Sequence, residues 1–499
     1  METILAAFAL ILDPQVLWVI LASAFFGMFV GSMPGLSATM ATALLVPVTF
    51  FMGPVPAIAA IVTTTAMAIF AGDIPGCFLR IPGTPASAAY TDEAYMMTRR
   101  GRGELALGAA LVFSVIGGVF GTIVLMSFAP TLADFALRFS SFEYFWMALL
   151  GLTCAVIISP QSQLKGVVSL ILGLMISCIG IGVATGYPRF TFGYFELTGG
   201  VPLIPALVGM FAVSEILRYV VAPRLAAPPV QARLGNIFTG QLGLIRTYRK
   251  GLLRGSVIGT LIGAMPGAGA DIAAWVSYAT SKKFSREPEK FGTGHVEGIV
   301  EAGAANNAAL GGAWIPALVF GIPGDSITAI AIGVLFMKGV NPGPTIFMNN
   351  PELLYAVFLS FIFANLLMLP VGWLAIKSAG RLLSVRREVL MPIILLFCIV
   401  GAFATNNTVF GVTTMLVMGV IAYLLEENGF PVAPIILGLV LGSMVEETFI
   451  SSMQKADGNI LGFFSRPIAG TLGAVTVLIW LSPLLLWLWR RRRAAGASA

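Results

Sequence analysis

The chain carries one interruption twice. Ile74-Pro75 is followed by Ile81-Pro82-Gly83, and Ile315-Pro316 by Ile322-Pro323-Gly324. Each copy comes after a Met-Pro-Gly, at Met33-Pro34-Gly35 and Met265-Pro266-Gly267, and all four marks fall within or beside long apolar runs. Proline removes a backbone donor and clashes with the preceding turn, so a helix that carries it breaks or bends. In hydrocarbon the freed backbone groups need partners from the protein itself. Such breaks must therefore face protein or a cavity, and breaks at matching positions in two halves point to a transporter binding site.

With 58% hydrophobic and 10% charged residues and a mean hydropathy of +0.93, the chain lies outside soluble globular usage. The expectation is an all-α polytopic membrane protein with about 10–12 transmembrane helices, each of about 20 residues. Long runs without alternation argue against a barrel. Met33 and Met265 stand 232 residues apart and Pro82 and Pro323 stand 241 apart, which reads as a duplication. Inverted repeats are expected, because paired broken helices commonly meet at a midplane site that way. At residue 34 a broken span and a hairpin both fit.

The organisation expected is a membrane repeat at 1–222, a basic cytoplasmic linker at 223–254, a second membrane repeat at 255–489 and a basic cytoplasmic tail at 490–499. The linker holds Arg224, Arg233, Arg246, Arg249, Lys250 and Arg254, and Arg490 to Arg493 fix the end of the chain inside. This placement accounts for the net charge of +6 without a nucleic-acid partner. Residues 14–31 read as a retained helix, not a signal peptide. Cys77, Cys154, Cys178 and Cys398 are scattered singly and read as free, buried thiols.

An enzyme is not expected. There is one histidine, His295, read as a solvated loop residue, and there is no Walker sequence, nucleophile elbow or metal cluster. Without a nucleotide site, transport would run on an ion gradient. The candidate substrate site is Ser32, Pro34, Gly35, Ser37 and Thr39 with Gly83, Thr84, Pro85 and Ser87, facing Gly267, Gly269, Gly324 and Ser326. After each Pro-Gly a helix restarts, and its free N–H groups favour an anion while carbonyls freed upstream suit a hard cation. Asp271, Asp325, Ser326 and Thr328, with the adjacent amides Asn306 and Asn307, are the candidate Na⁺ neighbourhood; the amides also join the substrate set. The structural alternative is that these hydroxyls and carboxylates cap the next turn and the amides bridge helices. Asp73 and Arg80 could pair with each other, or Arg80 could meet a substrate carboxylate. Glu426-Glu427 and Glu446-Glu447 read as interfacial, and Lys282, Lys283, Arg286 and Lys290 as a solvated face. The first-half loop behind Arg80 is expected to favour the anion, and the second, with Asp325, the cation.

These motifs resemble the large membrane subunit of the tripartite tricarboxylate transporters. The resemblance rests on Gly31 to Gly35, Ile81 to Pro85, Met265 to Gly267 with Ala273 to Tyr278, Phe291 to Gly294, Glu301 to Ala308, Gly321 to Gly324 and Asn341 to Pro344. It implies a bacterial inner-membrane permease working with a small membrane subunit and a periplasmic solute-binding protein. Such a permease imports carboxylates on an ion gradient, with Na⁺ as coupling ion and no other cofactor, and the Pro-Gly loops surround the substrate. Asp73 and Arg80 depart from the family pattern, so the resemblance implies a tricarboxylate or related di- or monocarboxylate without fixing which one. An ion channel using the same breaks as a filter is the alternative.

Overall fold

A computed structural model describes residues 2–33, 36–157, 162–182, 186–221, 235–267, 269–383 and 387–481. Pro34, Gly35, the first part of the expected linker and the Arg490–Arg493 tail lie outside the described residues.

The first half runs through α1 (Glu2–Ile11), α2 (Pro14–Gly31), α3 (Ala38–Thr49), α4 (Pro54–Ala71) and α5 (Asp73–Leu79). It continues with α6 (Thr91–Arg99), α7 (Gly103–Ala136), α8 (Ser141–Ile157), α9 (Gln163–Ser177), α10 (Leu203–Val208) and α11 (Ser214–Val221), the last two joined by a π-helical turn. Then come α12 (Gln241–Thr247), α13 (Arg249–Gly263), α14 (Gly269–Phe284), α15 (Val296–Phe320), α16 (Ser326–Met337), α17 (Ile346–Asn349) and α18 (Pro351–Lys377). The chain closes with α19 (Ala379–Leu382), α20 (Arg387–Asn406), α21 (Val409–Glu427), α22 (Val432–Lys455) and α23 (Pro467–Leu481). Among the described residues, eight helical spans are long and apolar enough to cross a membrane, and five apolar helices are shorter. The fold is an all-α polytopic membrane protein; β1 (Gly180–Ile181) and β2 (Pro188–Arg189) form the one small sheet among the described residues.

Local chemistry sets the helix starts. Asp13 accepts the Gln15 N–H at 2.7 Å with Pro14 at the first helical position, and Pro54 and Pro351 open α4 and α18. Glycine sets the close packing. A Cβ on Gly27 would lie 2.4 Å from Thr64 O, and one on Gly31 2.6 Å from Ala68 Cα, so α2 and α4 touch backbone to backbone. Both contacts advance along the two helices together, so α2 and α4 run parallel. The intervening α3 must therefore return, and α2 and α3 form a hairpin, not one broken span.

The second half packs the same way. A Cβ on Gly259 would lie 2.3 Å from Ala305 O, and one on Gly263 2.2 Å from Ala309 O, so α13 and α14 form a second hairpin against α15. Gly27 and Gly259, like Gly31 and Gly263, are 232 apart; Thr64 and Ala305, like Ala68 and Ala309, are 241 apart. The spacings of the Pro-Gly marks thus recur in the packing.

Lys338 Nζ, just past α16, donates to Phe50 O (2.8 Å) and Met52 O (2.7 Å) in the α3–α4 turn. At the opposite end, buried Glu93 of α6 accepts the Gly294 and His295 N–H groups (2.7 Å each), the Tyr278 hydroxyl (2.7 Å) and the Gly292 N–H. Hence α4 starts where α16 finishes and leads toward the end where α15 starts, so α4 and α15 are antiparallel. They meet where Asn307 Nδ2 donates to Ala66 O (3.4 Å), two positions also 241 apart. Gly117 and Gly121 seat α7 on α15, while α18 packs on α4.

Several sequence readings change. Residues 178–182 and 186–202 hold loops, the β1–β2 pair and a short 3-10 helix at Phe195–Gly199. His295 is half-buried against Phe291, with Nε2 3.2 Å from Glu297, not solvated. Cys77 and Cys398 are buried, whereas Cys154 and Cys178 are partly exposed; all four are free. The described part of the linker docks on α7, where the Gly235 N–H reaches Glu104 (2.6 Å), and Arg254 holds Glu301 through two bonds of 2.7 and 2.6 Å.

Because overpacking a close backbone contact costs about 1–3 kcal/mol, Gly263→Val should lower the melting temperature in detergent and reduce membrane abundance. Gly243→Ala, where an added Cβ meets nothing, should change neither.

Candidate functional site

A cavity of about 590 Å³ opens where the breaks of both halves converge. This lies within the usual range for small-molecule sites, about 300–1,000 Å³. Its wall is paired by the two spacings. Ser37, Ala38, Thr39 and Met40 line it together with Gly269, Ala270, Asp271 and Ile272, each 232 residues on. Thr84 and Pro85 line it with Asp325 and Ser326, each 241 on.

Among the described residues, the breaks at Gly83, Gly267 and Gly324 are closed by the chain itself. In the first half the Gly83 N–H donates to Gly72 O (3.0 Å), and Thr84 and Ser87 cap each other: Ser87 N to Thr84 Oγ1 at 3.0 Å, Thr84 N to Ser87 Oγ at 3.1 Å. In the second half Gly324 packs on Ala313, the counterpart of Gly72, and Asp325 and Thr328 form the matching capping box with both bonds at 2.8 Å. Ser37 caps α3 by accepting the Met40 N–H (3.1 Å). Gly267 and Gly269 adopt φ of 81° and 61°, a turn that glycine makes without strain, and the Gly267 N–H donates to Gly324 O (2.7 Å).

The halves also interlock across the cavity. Asp271 Oδ1 accepts the Ala86 N–H (3.2 Å), and Trp275 Nε1 donates to Pro85 O (3.1 Å). Three helices of twelve or more residues, α3, α14 and α16, present their first turns to one space. Their free N–H groups and dipoles favour negative charge there, by about 0.3–1 kcal/mol each at exposed sites. Asp271, in the first turn of α14, and Asp325, the N-cap of α16, place carboxylates in the same wall.

Of the sequence candidates, Ser37, Thr39, Thr84, Pro85, Gly267, Gly269, Asp271, Asn306, Asp325 and Ser326 line the cavity. Gly83 and Gly324 seat the breaks behind it, while Ser87 and Thr328 use their hydroxyls in the caps. Ser32 is buried and donates to Phe29 O (3.0 Å), and Asn307 faces α4. Arg80 meets neither Asp73 nor the cavity. It takes a left-handed φ of 57° and pairs with Asp92 at 2.7 Å, with 57% of its side chain exposed. Asp73 accepts the Tyr90 hydroxyl instead (2.7 Å).

Sequence reasoning passed over one charged group in the wall. Arg218 of α11 donates to Glu215 (2.5 Å) and to Glu426 of α21, with Glu427 3.5 Å from Nε. Arg218, Glu215 and Glu426 all line the cavity. The available signal was a Glu and an Arg three apart within an apolar run, since intramembrane charges mark function by default.

A helical membrane protein whose broken helices enclose a largely apolar cavity with a few charged and hydroxyl groups in its wall is built as a solute transporter. The chain belongs to the tripartite tricarboxylate transporter TctA family, whose model matches residues 17–437. It is 33% identical over 460 residues to an Agrobacterium vitis protein described as an uncharacterized 52.8 kDa protein in the TAR-I ttuC′ 3′ region, covering 92% of this chain and 91% of that protein. It is 34% identical over 228 residues to a second A. vitis protein, described as uncharacterized in the TAR-II ttuC′ 3′ region, covering 45% of this chain and 94% of that protein. No solved structure matches significantly.

Two outcomes follow from these positions. Arg80→Gln should leave uptake within about twofold, since exposed pairs contribute little. Asp325→Ala should lower thermal stability by about 1 kcal/mol through the lost cap, read by melting in detergent.

Proposed function

We propose that the chain is the large subunit of a binding-protein-dependent importer that carries carboxylates together with a cation, Na⁺, by alternating access. The observation that carries this reading is the pairing of the cavity wall: equivalent segments of the two halves face each other across one space. Together with the antiparallel course of α4 and α15, the pairing supports an inverted repeat, the arrangement in which one half rocks against the other around a fixed site. Helix starts at Ser37 and Ser326, with the Thr39 hydroxyl, suit the substrate carboxylates. Asp271 and the Asn306 amide suit a hard cation, and the cation offsets the repulsion between Asp271 and an anionic substrate.

Family membership supports a small membrane subunit and a periplasmic solute-binding protein as partners, and the inner membrane of a bacterium as location. The basic segments at Arg246–Arg254 and Lys377–Arg387, and the Arg490–Arg493 run, support a cytoplasmic side for those ends and the C-terminus through the positive-inside tendency.

The test is uptake of labelled di- and tricarboxylates into proteoliposomes holding the full chain, its small subunit and its binding protein. An inward Na⁺ gradient should stimulate uptake severalfold, and Ser326→Ala, Asn306→Ala and Asp271→Asn should each reduce it more than they reduce abundance. Uptake indifferent to Na⁺, or normal uptake in all three variants, would overturn the reading. Flux far above carrier rates without the binding protein would favour a channel.

A further inference from the structure

A buried hydrogen-bond chain runs from the first-half break to the cavity. Tyr90, 1% exposed, donates its hydroxyl to Asp73 Oδ1 (2.7 Å), and Asn306 Nδ2 donates to the Tyr90 oxygen (3.3 Å). Asp73 is 3% exposed and Asn306 1%. Asn306 lines the cavity, and its Oδ1 is enclosed yet has no partner within the protein.

The order of donors matters because a phenol carries a single proton. With Asp73 as a carboxylate that proton goes to Asp73, so the Tyr90 oxygen toward Asn306 accepts. The amide must then turn its NH₂ to Tyr90, which leaves the carbonyl oxygen as the free end. An amide free to flip would offer NH₂ instead, a donor that repels a cation. The equivalent position 241 residues earlier, Thr65, is already satisfied by Thr42 (2.9 Å) and Ile61 O (2.7 Å). Only the second-half member of this pair keeps an acceptor unspent.

We infer that Asp73 and Tyr90 are positioning residues that hold the Asn306 carbonyl oxygen as a fixed acceptor for the monovalent cation accompanying the substrate. The inference rests on the cation-coupled reading above and assigns its cation end. Other buried acceptors also lack a partner, Asp73 Oδ2 and Asn307 Oδ1 among them, but Asn306 is the one whose residue lines the cavity, and Asp271 and Asp325 in the same wall supply further hard oxygens. Asp73 acts through Tyr90 and touches no ligand. In Asp73→Asn the new amide can donate to Tyr90, the phenol can then donate to Asn306 Oδ1, and the chain reverses. In Tyr90→Phe the anchor for the amide is lost. Both substitutions keep shape and volume.

The experiment measures the Na⁺ dependence of uptake, and the carboxylate KM at saturating Na⁺, in the complete transporter carrying Tyr90→Phe or Asp73→Asn, with membrane abundance quantified alongside. The Na⁺ half-saturation concentration should rise about tenfold in each, the size of one lost oriented hydrogen bond. The carboxylate KM at saturating Na⁺ should stay within about twofold, the effect of well under 1 kcal/mol. Wild-type half-saturation in both variants, an equal rise in carboxylate KM, or loss of both variants from the membrane would overturn the inference. Failure of the reading beneath it is separately visible, because wild-type uptake would then itself ignore Na⁺, which removes the cation role of Asn306 as well.

Discussion

Everything in this fold depends on where the backbone groups freed at four helix breaks find partners. In a bilayer core each unsatisfied group costs several kcal/mol, so a break survives only if protein closes it. Here the closures are mutual. Gly83 bonds Gly72 within the first half, Gly267 bonds Gly324 within the second, and Asp271 and Trp275 bond the Ala86 and Pro85 backbone across the halves. The cavity is closed where the breaks bond each other and polar where helix starts line it.

The two halves use one plan with different side chains. Thr84 and Ser87 make the same reciprocal cap as Asp325 and Thr328, yet only the second version brings a carboxylate to the wall. Thr39 likewise stands opposite Asp271, and Thr65 is the counterpart of Asn306. Each exchange makes the second half richer in oxygen donors for a cation and leaves the first with neutral hydroxyls. The shared spacing accompanies the enclosure, and the exchanged side chains supply the polarity.

Much of this was legible in the residues. The helix at Pro14–Gly31 has the bounds its apolar run indicates, and the spacings of 232 and 241 carried through to packing. Periodicity does not tell a hairpin from a broken span, because the answer lies in Gly27 and Gly31 meeting Thr64 and Ala68, contacts between separate helices. The capping alternative at Thr84, Ser87, Asp325 and Thr328 is realised, and for Thr84 and Asp325 it coexists with a place in the cavity wall. Arg80 was misleading for a local reason: its left-handed turn sends the side chain to Asp92. Arg218 escaped notice because Glu426 stands 208 residues away, a distance no local pattern bridges.

The central claim is that one cavity between the broken helices serves both faces of the membrane. Side-resolved labelling tests it most directly: Ser326→Cys in a chain cleared of Cys77, Cys154, Cys178 and Cys398, treated with a membrane-impermeant maleimide from each face of oriented vesicles. Labelling from both faces, with protection on both when carboxylate and Na⁺ are present together, is the expected result. Labelling from one face only, or labelling that substrate and cation leave unchanged, would contradict it.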